Sequence, residues 1–287
     1  MRYFLHLFLI ISLAAFAEDS VYLNTDPIES DYFKSVECDL IADPPHACWK
    51  NNCGRRIADN LFEPEDISNL LSIAQKGLAL RAAVGGPTIV DINTGFIRDS
   101  EGIENMFARS EEVYTPSDFS VYGAIIKKLK NYVMSTFDIT ELYFTAPTFI
   151  TRLDGRPSWT PQDIHDEYWH VHADMNNTRH YQYSGLLYLS TYGSDFKGGR
   201  LHFVSPSNFS HSEEIVVPVA GRVVIFTSGA ENPHYVERVT GGQRFVLAFW
   251  FTCNPKNEFE IFLDGKAHAV FSRRVGAGYK TQATEEL

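Results

Sequence analysis

A mainly β domain with flanking helices is the fold class this sequence predicts, and three observations predict it. From about Glu141 onward, short β-branched and aromatic runs follow one another closely: ELYFTAPTFITRL, SGLLYLST, GRLHFV, EIVVPV, RVVIFTS and QRFVLAFWFT. They are separated by Gly, Pro, Asn, Asp and Ser, and many short strands broken by turn residues are the mark of an all-β sandwich or barrel. Ahead of them lie two stretches with apolar residues at helical spacing, able to cover one outer face of a sheet. Together the two parts make roughly 200 residues, the size of a single domain.

In chain order, residues 1–17 read as a secretory signal. Arg2 gives the positive start, Tyr3 to Leu13 is an apolar run too short for a bilayer, and Ala15-Phe16-Ala17 fits the small-residue cleavage rule. An uncleaved membrane anchor is the alternative that this short run opposes. Removing the segment moves the formal charge from −11 to −12, so a basic nucleic-acid footprint is absent. The compartment implied is the secretory pathway, either the endoplasmic reticulum lumen or the exterior.

Residues 18–55 form a lead-in of mixed composition, read as loop-rich and held by cysteines. Cys38, Cys48 and Cys53 cluster there and Cys253 stands alone. In an oxidising compartment four cysteines suggest two disulfides with three possible connectivities, and one of the first three is expected to pair with Cys253. Without a C-x-x-C pair, a zinc cluster is the lesser reading.

Residues 56–255 are the domain proper, with helices in 56–140 and the β core in 141–255. Pro64 starts the first helix, and Ile67, Leu70, Leu71, Ala74 and Leu78 form its stripe. Thr115 caps the second, with Pro116 at N1, Asp118 at N3, and Tyr122, Ile125, Ile126, Leu129, Tyr132 and Val133 on one face. Residues 256–287 are a tail holding one short strand, FEIFL.

The chemistry centres on HDEYWHVHAD, His165 to Asp174. On a strand, His170, His172 and Asp174 share a face. Two imidazoles and a carboxylate can hold a metal, with His234, after the run RVVIFTS, as the third ligand. His172, Asp174 and His234 then make the facial triad of non-haem Fe(II) oxygenases, open on its other side. Arg244 follows ten residues later, at the start of RFVLAFWF. A guanidinium pointing into a β-barrel requires a planar anion, which a dicarboxylate cosubstrate supplies, and Tyr188 can add a phenol donor to the same carboxylate.

These residues resemble a known family. His172-x-Asp174, Tyr188, Gly198-Gly199 opening GGRLHF, His234, Arg244 and Trp250 follow the order and spacing of the Fe(II)/2-oxoglutarate dioxygenases of the prolyl 4-hydroxylase-like class. The resemblance spans roughly residues 53–255. It implies a double-stranded β-helix, or jelly-roll, core with Fe(II) on His172, Asp174 and His234. It also implies 2-oxoglutarate chelating the iron and held at its distal carboxylate by Arg244 and Tyr188. The reaction implied consumes O2, releases succinate and CO2, and hydroxylates an aliphatic C–H, with ascorbate as the reductant. The substrate implied is a protein or peptide side chain, prolyl or lysyl.

Two departures bear on the substrate mouth. RPSWTPQDI is longer than the usual turn before the triad, and Arg244 stands where collagen-type prolyl hydroxylases tend to carry Lys. Two other readings stand beside the first: a non-catalytic jelly-roll binding module, and a cupin-type enzyme using His170 and His172. His165 and His170 read as pocket or surface histidines, His202 as a strand residue on a solvent or pocket face, Arg152 as a salt-bridged core-edge residue and Trp250 as core. Sequons at Asn176 and Asn208 agree with a secreted glycoprotein.

Overall fold

The computed structural model describes residues 20–38, 48, 52–162 and 166–258. Three short strands open it: β1 (Val21–Leu23), β2 (Tyr32–Val36) and β3 (Cys53–Ala58). Helices α1 (Pro64–Leu78) and α2 (Pro116–Phe137) bracket β4 (Gly86–Val90), β5 (Phe96–Asp99) and β6 (Gly102–Asn105). The long β7 (Tyr143–Gly155) leads into α3, a single turn (Asp174–Asn177), then β8 (Tyr183–Tyr188) and β9 (Phe196–Lys197). The chain continues through β10 (Leu201–Ser205), β11 (Asn208–Val216), β12 (Val223–Thr227), β13 (His234–Val236) and β14 (Gly241–Thr252).

These strands make two facing sheets, as predicted for a jelly-roll. The larger has ten strands along the path β2-β3-β12-β8-β14-β7-β4-β5-β6, with β9 paired to β14. The smaller has four, in the order β1-β11-β10-β13. Strand periodicity decides what each face touches. On β12, Val223 and Ile225 pack toward the helices, while Val224 and Phe226 pack between the sheets against Phe203 and Val246. On β14, Phe245, Leu247, Phe249 and Phe251 go to the helix side. Arg244, Val246, Ala248 and Trp250, at the alternate positions, therefore face the inter-sheet space.

Both helices start where the sequence places them. Around α2, the Thr115 hydroxyl accepts from the Asp118 N–H and the Asp118 carboxylate accepts from the Thr115 N–H, a reciprocal capping box. Lys76 of α1 reaches that same carboxylate at 2.7 Å and ties the helices together.

Two expectations change. The lead-in carries strands: β2 pairs with β3 at the edge of the large sheet, and β1 pairs in parallel with β11 in the small one. Arg222, fully buried, clasps this segment by donating to Asp59 and to the carbonyls of Asn24 and Asp26. Residues 56–140 are likewise not only helical, because β4, β5 and β6 extend the large sheet beyond β7. Strands of three to six residues offer too few periods to register in sequence, and their pairing is set by distant neighbours.

The disulfides are Cys38–Cys53 and Cys48–Cys253. One N-terminal cysteine thus pairs with Cys253 as expected, and with all four paired the zinc reading falls. The signal segment, His165 and the FEIFL strand lie outside the described residues. Among those residues, no helix is long and apolar enough to cross a membrane.

Candidate active site

His172, Asp174 and His234 converge where the two sheets open. The expected strand through residues 170–174 is not continuous. Only His172 pairs, through a two-way backbone bridge to His234 at 2.9 and 2.8 Å, and at Asp174 the chain turns into α3. That bridge sets the two imidazoles side by side, with ring centroids 4.5 Å apart. One ligand atom from each of the three residues lies within 4.8 Å of the others. Asp174 Oδ1 is 3.4 Å from His172 Nε2 and 3.8 Å from His234 Nε2.

The imidazoles are oriented by backbone. His172 Nδ1 lies 2.9 Å from the His170 carbonyl and His234 Nδ1 lies 3.0 Å from the Asn232 carbonyl. A carbonyl only accepts, so each Nδ1 carries a proton, and in the neutral form of each ring Nε2 presents its lone pair to the cluster. Burial pushes His234 down to about 4, outweighing the nearby Asp174. Burial alone would raise Asp174, but His234, the bond from His172 and the Ser184 hydroxyl hold it well below the usual carboxylate range. A carboxylate facing a neutral His234 is a metal-ready arrangement, because ligands must be deprotonated. On His172 the bond to Asp174 overcomes burial and raises the pKa.

Arg244 and Tyr188 share the inter-sheet face farther along. Arg244 is 2% exposed and Tyr188 is 0% exposed, with the guanidinium carbon 5.2 Å from the phenol ring centroid. Neither Nε nor Nη2 of Arg244, nor the Tyr188 hydroxyl, has a hydrogen-bond partner among the described residues. Burial lowers the Arg244 pKa and raises that of Tyr188, opposed there by the guanidinium. A buried fork with free donors is costly unless an anion fills it, and these donors fit a planar carboxylate. Gly199 makes room: with φ +72°, an added Cβ would sit 2.8 Å from Arg244 Cδ.

Other sequence candidates fall elsewhere. His170 is exposed and pairs with Glu167, so it does not join the cluster and the cupin-type H-x-H pair is not formed. His202 is buried on the small sheet, between Ser212 and Glu237. Arg152 donates to the carbonyls of Leu78, Arg81 and Ala82 at the end of α1, and among the described residues it forms no ion pair with an acid. Asn176 and Asn208 are both exposed.

Trp250 is more than core: its indole N–H donates to Asp174 Oδ2 at 3.0 Å. The even spacing Arg244, Val246, Ala248, Trp250 was the sequence signal for that. Tyr168 was also missed. Its hydroxyl accepts from the Val239 N–H at 2.9 Å, closing the loop that precedes the triad over the Arg244 end of the site. Arg238 donates to the Trp159 carbonyl and stacks on Trp159 and Trp169, holding the same loop.

A jelly-roll carrying two histidines and a carboxylate at its mouth, with an unsatisfied arginine buried beside them, defines an oxygenase of the metal- and 2-oxo-acid-dependent class. Comparison with known proteins agrees. The sequence profile of the 2OG-Fe(II) oxygenase superfamily matches residues 162–252. The chain is 36% identical over 219 residues to 2-oxoglutarate and iron-dependent oxygenase domain-containing protein 3 of Mus musculus, covering 74% of this chain and 67% of that one. It is 45% identical over 84 residues to prolyl 3-hydroxylase 3 of Mus musculus, covering 29% of this chain and 11% of that one. A 2OG-Fe(II) oxygenase family oxidoreductase from Burkholderia pseudomallei shares the fold at 13% identity, with a TM-score of 0.51 over 84% of this chain and 97% of that one. The chain belongs to the 2-oxoglutarate- and Fe(II)-dependent oxygenase superfamily.

Proposed function

We propose that this protein is a dioxygenase that hydroxylates an aliphatic C–H of a protein side chain, prolyl or lysyl, with His172, Asp174 and His234 as its Fe(II) ligands. The observation that carries the reading is Arg244, buried with two free donors on the face that also leads to Asp174. Arg244 and Tyr188 hold the distal carboxylate of 2-oxoglutarate. When bound, iron and 2-oxoglutarate supply the oxidant that puts one atom of O2 into the C–H bond as succinate and CO2 are released, with ascorbate keeping the iron reduced.

The chain's own residues prepare that chemistry. The two Nε2 atoms and Asp174 Oδ1 present three donors from one side, leaving the opposite side for ligands that must exchange. Arg244, pinned by Gly199 and Tyr188, fixes the cosubstrate's far end, so its 2-oxo acid end is delivered in one orientation. Phe149, Tyr181 and Trp250 form an aromatic wall beside Asp174 that limits water and offers flat surfaces to a pyrrolidine ring. The prolyl 3-hydroxylase relative supports proline as the first side chain to test.

We place the protein in the secretory pathway, supported by its two disulfides and its exposed sequons at Asn176 and Asn208. The decisive experiment is anaerobic titration with Fe(II) and then 2-oxoglutarate, following the visible charge-transfer band of the chelate. The expected result is a band in the wild type, none in H172A, and one needing far more 2-oxoglutarate in R244A. A folded wild type with no band would replace the enzyme reading with a jelly-roll binding module.

A further inference from the structure

Asp174 has two carboxylate oxygens and the structure uses them differently. Oδ1 faces both imidazoles, at 3.4 and 3.8 Å, and Oδ2 is turned away to accept the Trp250 indole N–H at 3.0 Å. An indole nitrogen can only donate, so this bond never reverses, and it engages the oxygen in its charged, accepting state. The ring that delivers it is fixed. It stacks on Tyr181 with centroids 5.1 Å apart and planes 17° from parallel, and it packs on Phe149 at 5.2 Å. On β14, Trp250 pairs with Ser184 of β8, whose hydroxyl also stabilises the charged Asp174. Trp250 itself is only half-buried, and the Asp174 carboxylate it holds is buried.

We propose that Trp250 is a positioning residue of the metal site, holding Asp174 Oδ2 so that the carboxylate binds iron through Oδ1 alone. The inference rests on the metal reading above. Carboxylates ligate through one oxygen or two. With two histidines and one carboxylate oxygen, an octahedral ion keeps about three positions free, and a second carboxylate oxygen takes one of them. A 2-oxo acid chelate needs two positions and O2 needs one, so a chelating Asp174 would leave the cosubstrate bound and the oxygen position filled. The indole bond keeps that last position open.

The test counts exchangeable waters on Mn(II), a redox-inert stand-in for Fe(II), by water-proton relaxation. It compares the wild type, H172A, Trp250→Phe, and protein carrying benzothienylalanine at position 250. That last residue keeps the size and stacking of tryptophan without the N–H, so it decides the matter even if W250F fails to fold. The wild type should show about three waters, losing two with 2-oxoglutarate. Both position-250 variants should show one fewer, with the 2-oxoglutarate KM kept within about twofold and kcat down at least tenfold. The wild-type water count in the benzothienyl protein overturns the proposal and leaves the metal site standing. Failure of the wild type to bind Mn(II), or equal binding by H172A, overturns the metal reading itself.

Discussion

Replacing Arg244 with Met leaves an apolar stem of similar length and removes the guanidinium, and the structure requires two effects of opposite sign. In the ligand-free protein that charge is 2% exposed, with Nε and Nη2 unpaired among the described residues. Exchanging an uncompensated buried ion for an apolar residue gains about 1–4 kcal/mol. At 2–4 °C per kcal/mol for a domain of this size, ligand-free R244M should melt roughly 5 °C above the wild type. With 2-oxoglutarate the order inverts. Ligand at a hundred times its Kd stabilises the wild type by about 2.7 kcal/mol, roughly 5–10 °C. Two hydrogen bonds to a charged group contribute about 1.5–3 kcal/mol each, so R244M should bind 2-oxoglutarate about 10²- to 10⁴-fold more weakly. At the concentration that shifts the wild type, the variant should not shift. Thermal unfolding of both proteins with Mn(II), with and without 2-oxoglutarate, reads both effects. An R244M protein that melts below the wild type when ligand-free and keeps the full ligand shift would refute the reasoning.

Gly199→Ala places a methyl 2.8 Å from Arg244 Cδ at a backbone angle of +72°, so it should displace the guanidinium. A titration should show a 2-oxoglutarate requirement at least tenfold higher, with Mn(II) affinity unchanged. Asp91 is buried beneath α2 and burial pushes its carboxyl up to about 6. A raised carboxyl costs stability above that pH, about 3 kcal/mol from the shift, and the cost fades as pH falls toward the unfolded value near 3.9. Asp91→Asn keeps the Oδ1 acceptor used by Asn93 and Thr94, so it should out-melt the wild type at pH 7.5 and lose most of that advantage by pH 4.5. The Cys48–Cys253 bond closes a separation of 205 residues against 15 for Cys38–Cys53. Chain entropy makes its loss the costlier by about 2 kcal/mol, which denaturant unfolding of C253S and C38S would show as a lower midpoint for the former.

The sequence was most legible where periodicity and capping act locally. Thr115, Pro116 and Asp118 announce α2 because a capping box is a contact among neighbours. The cluster of His172, Asp174 and His234 was legible for another reason: residues with little else to do in a β core, these three and Arg244, stand at spacings that one chemistry explains. What stayed hidden depends on distant partners. Nothing in VYL or GPTIV says that β11 and β7 will accept them as neighbours. The irregular path from His170 to Asp174 was misread because one backbone bridge to His234 replaces a ladder. The tautomers of His172 and His234 depend on two carbonyls whose direction only the folded chain defines.

The placement of β14 carries a consequence for how the molecule is made. It is the last strand among the described residues, yet it lies in the middle of the large sheet, hydrogen-bonded along one edge to β8 and along the other to β7. During synthesis β7 and β8 emerge first and wait with unpaired edges while about sixty more residues are added, some seconds at ordinary translation rates. Such edges invite pairing with other chains, and long-range closure is slow. Arg244 and Trp250 ride on the same late strand, so neither cosubstrate nor a properly held metal can help the nascent chain fold. Strand β14 must be synthesised and seated between β8 and β7 before any ligand can stabilise the fold.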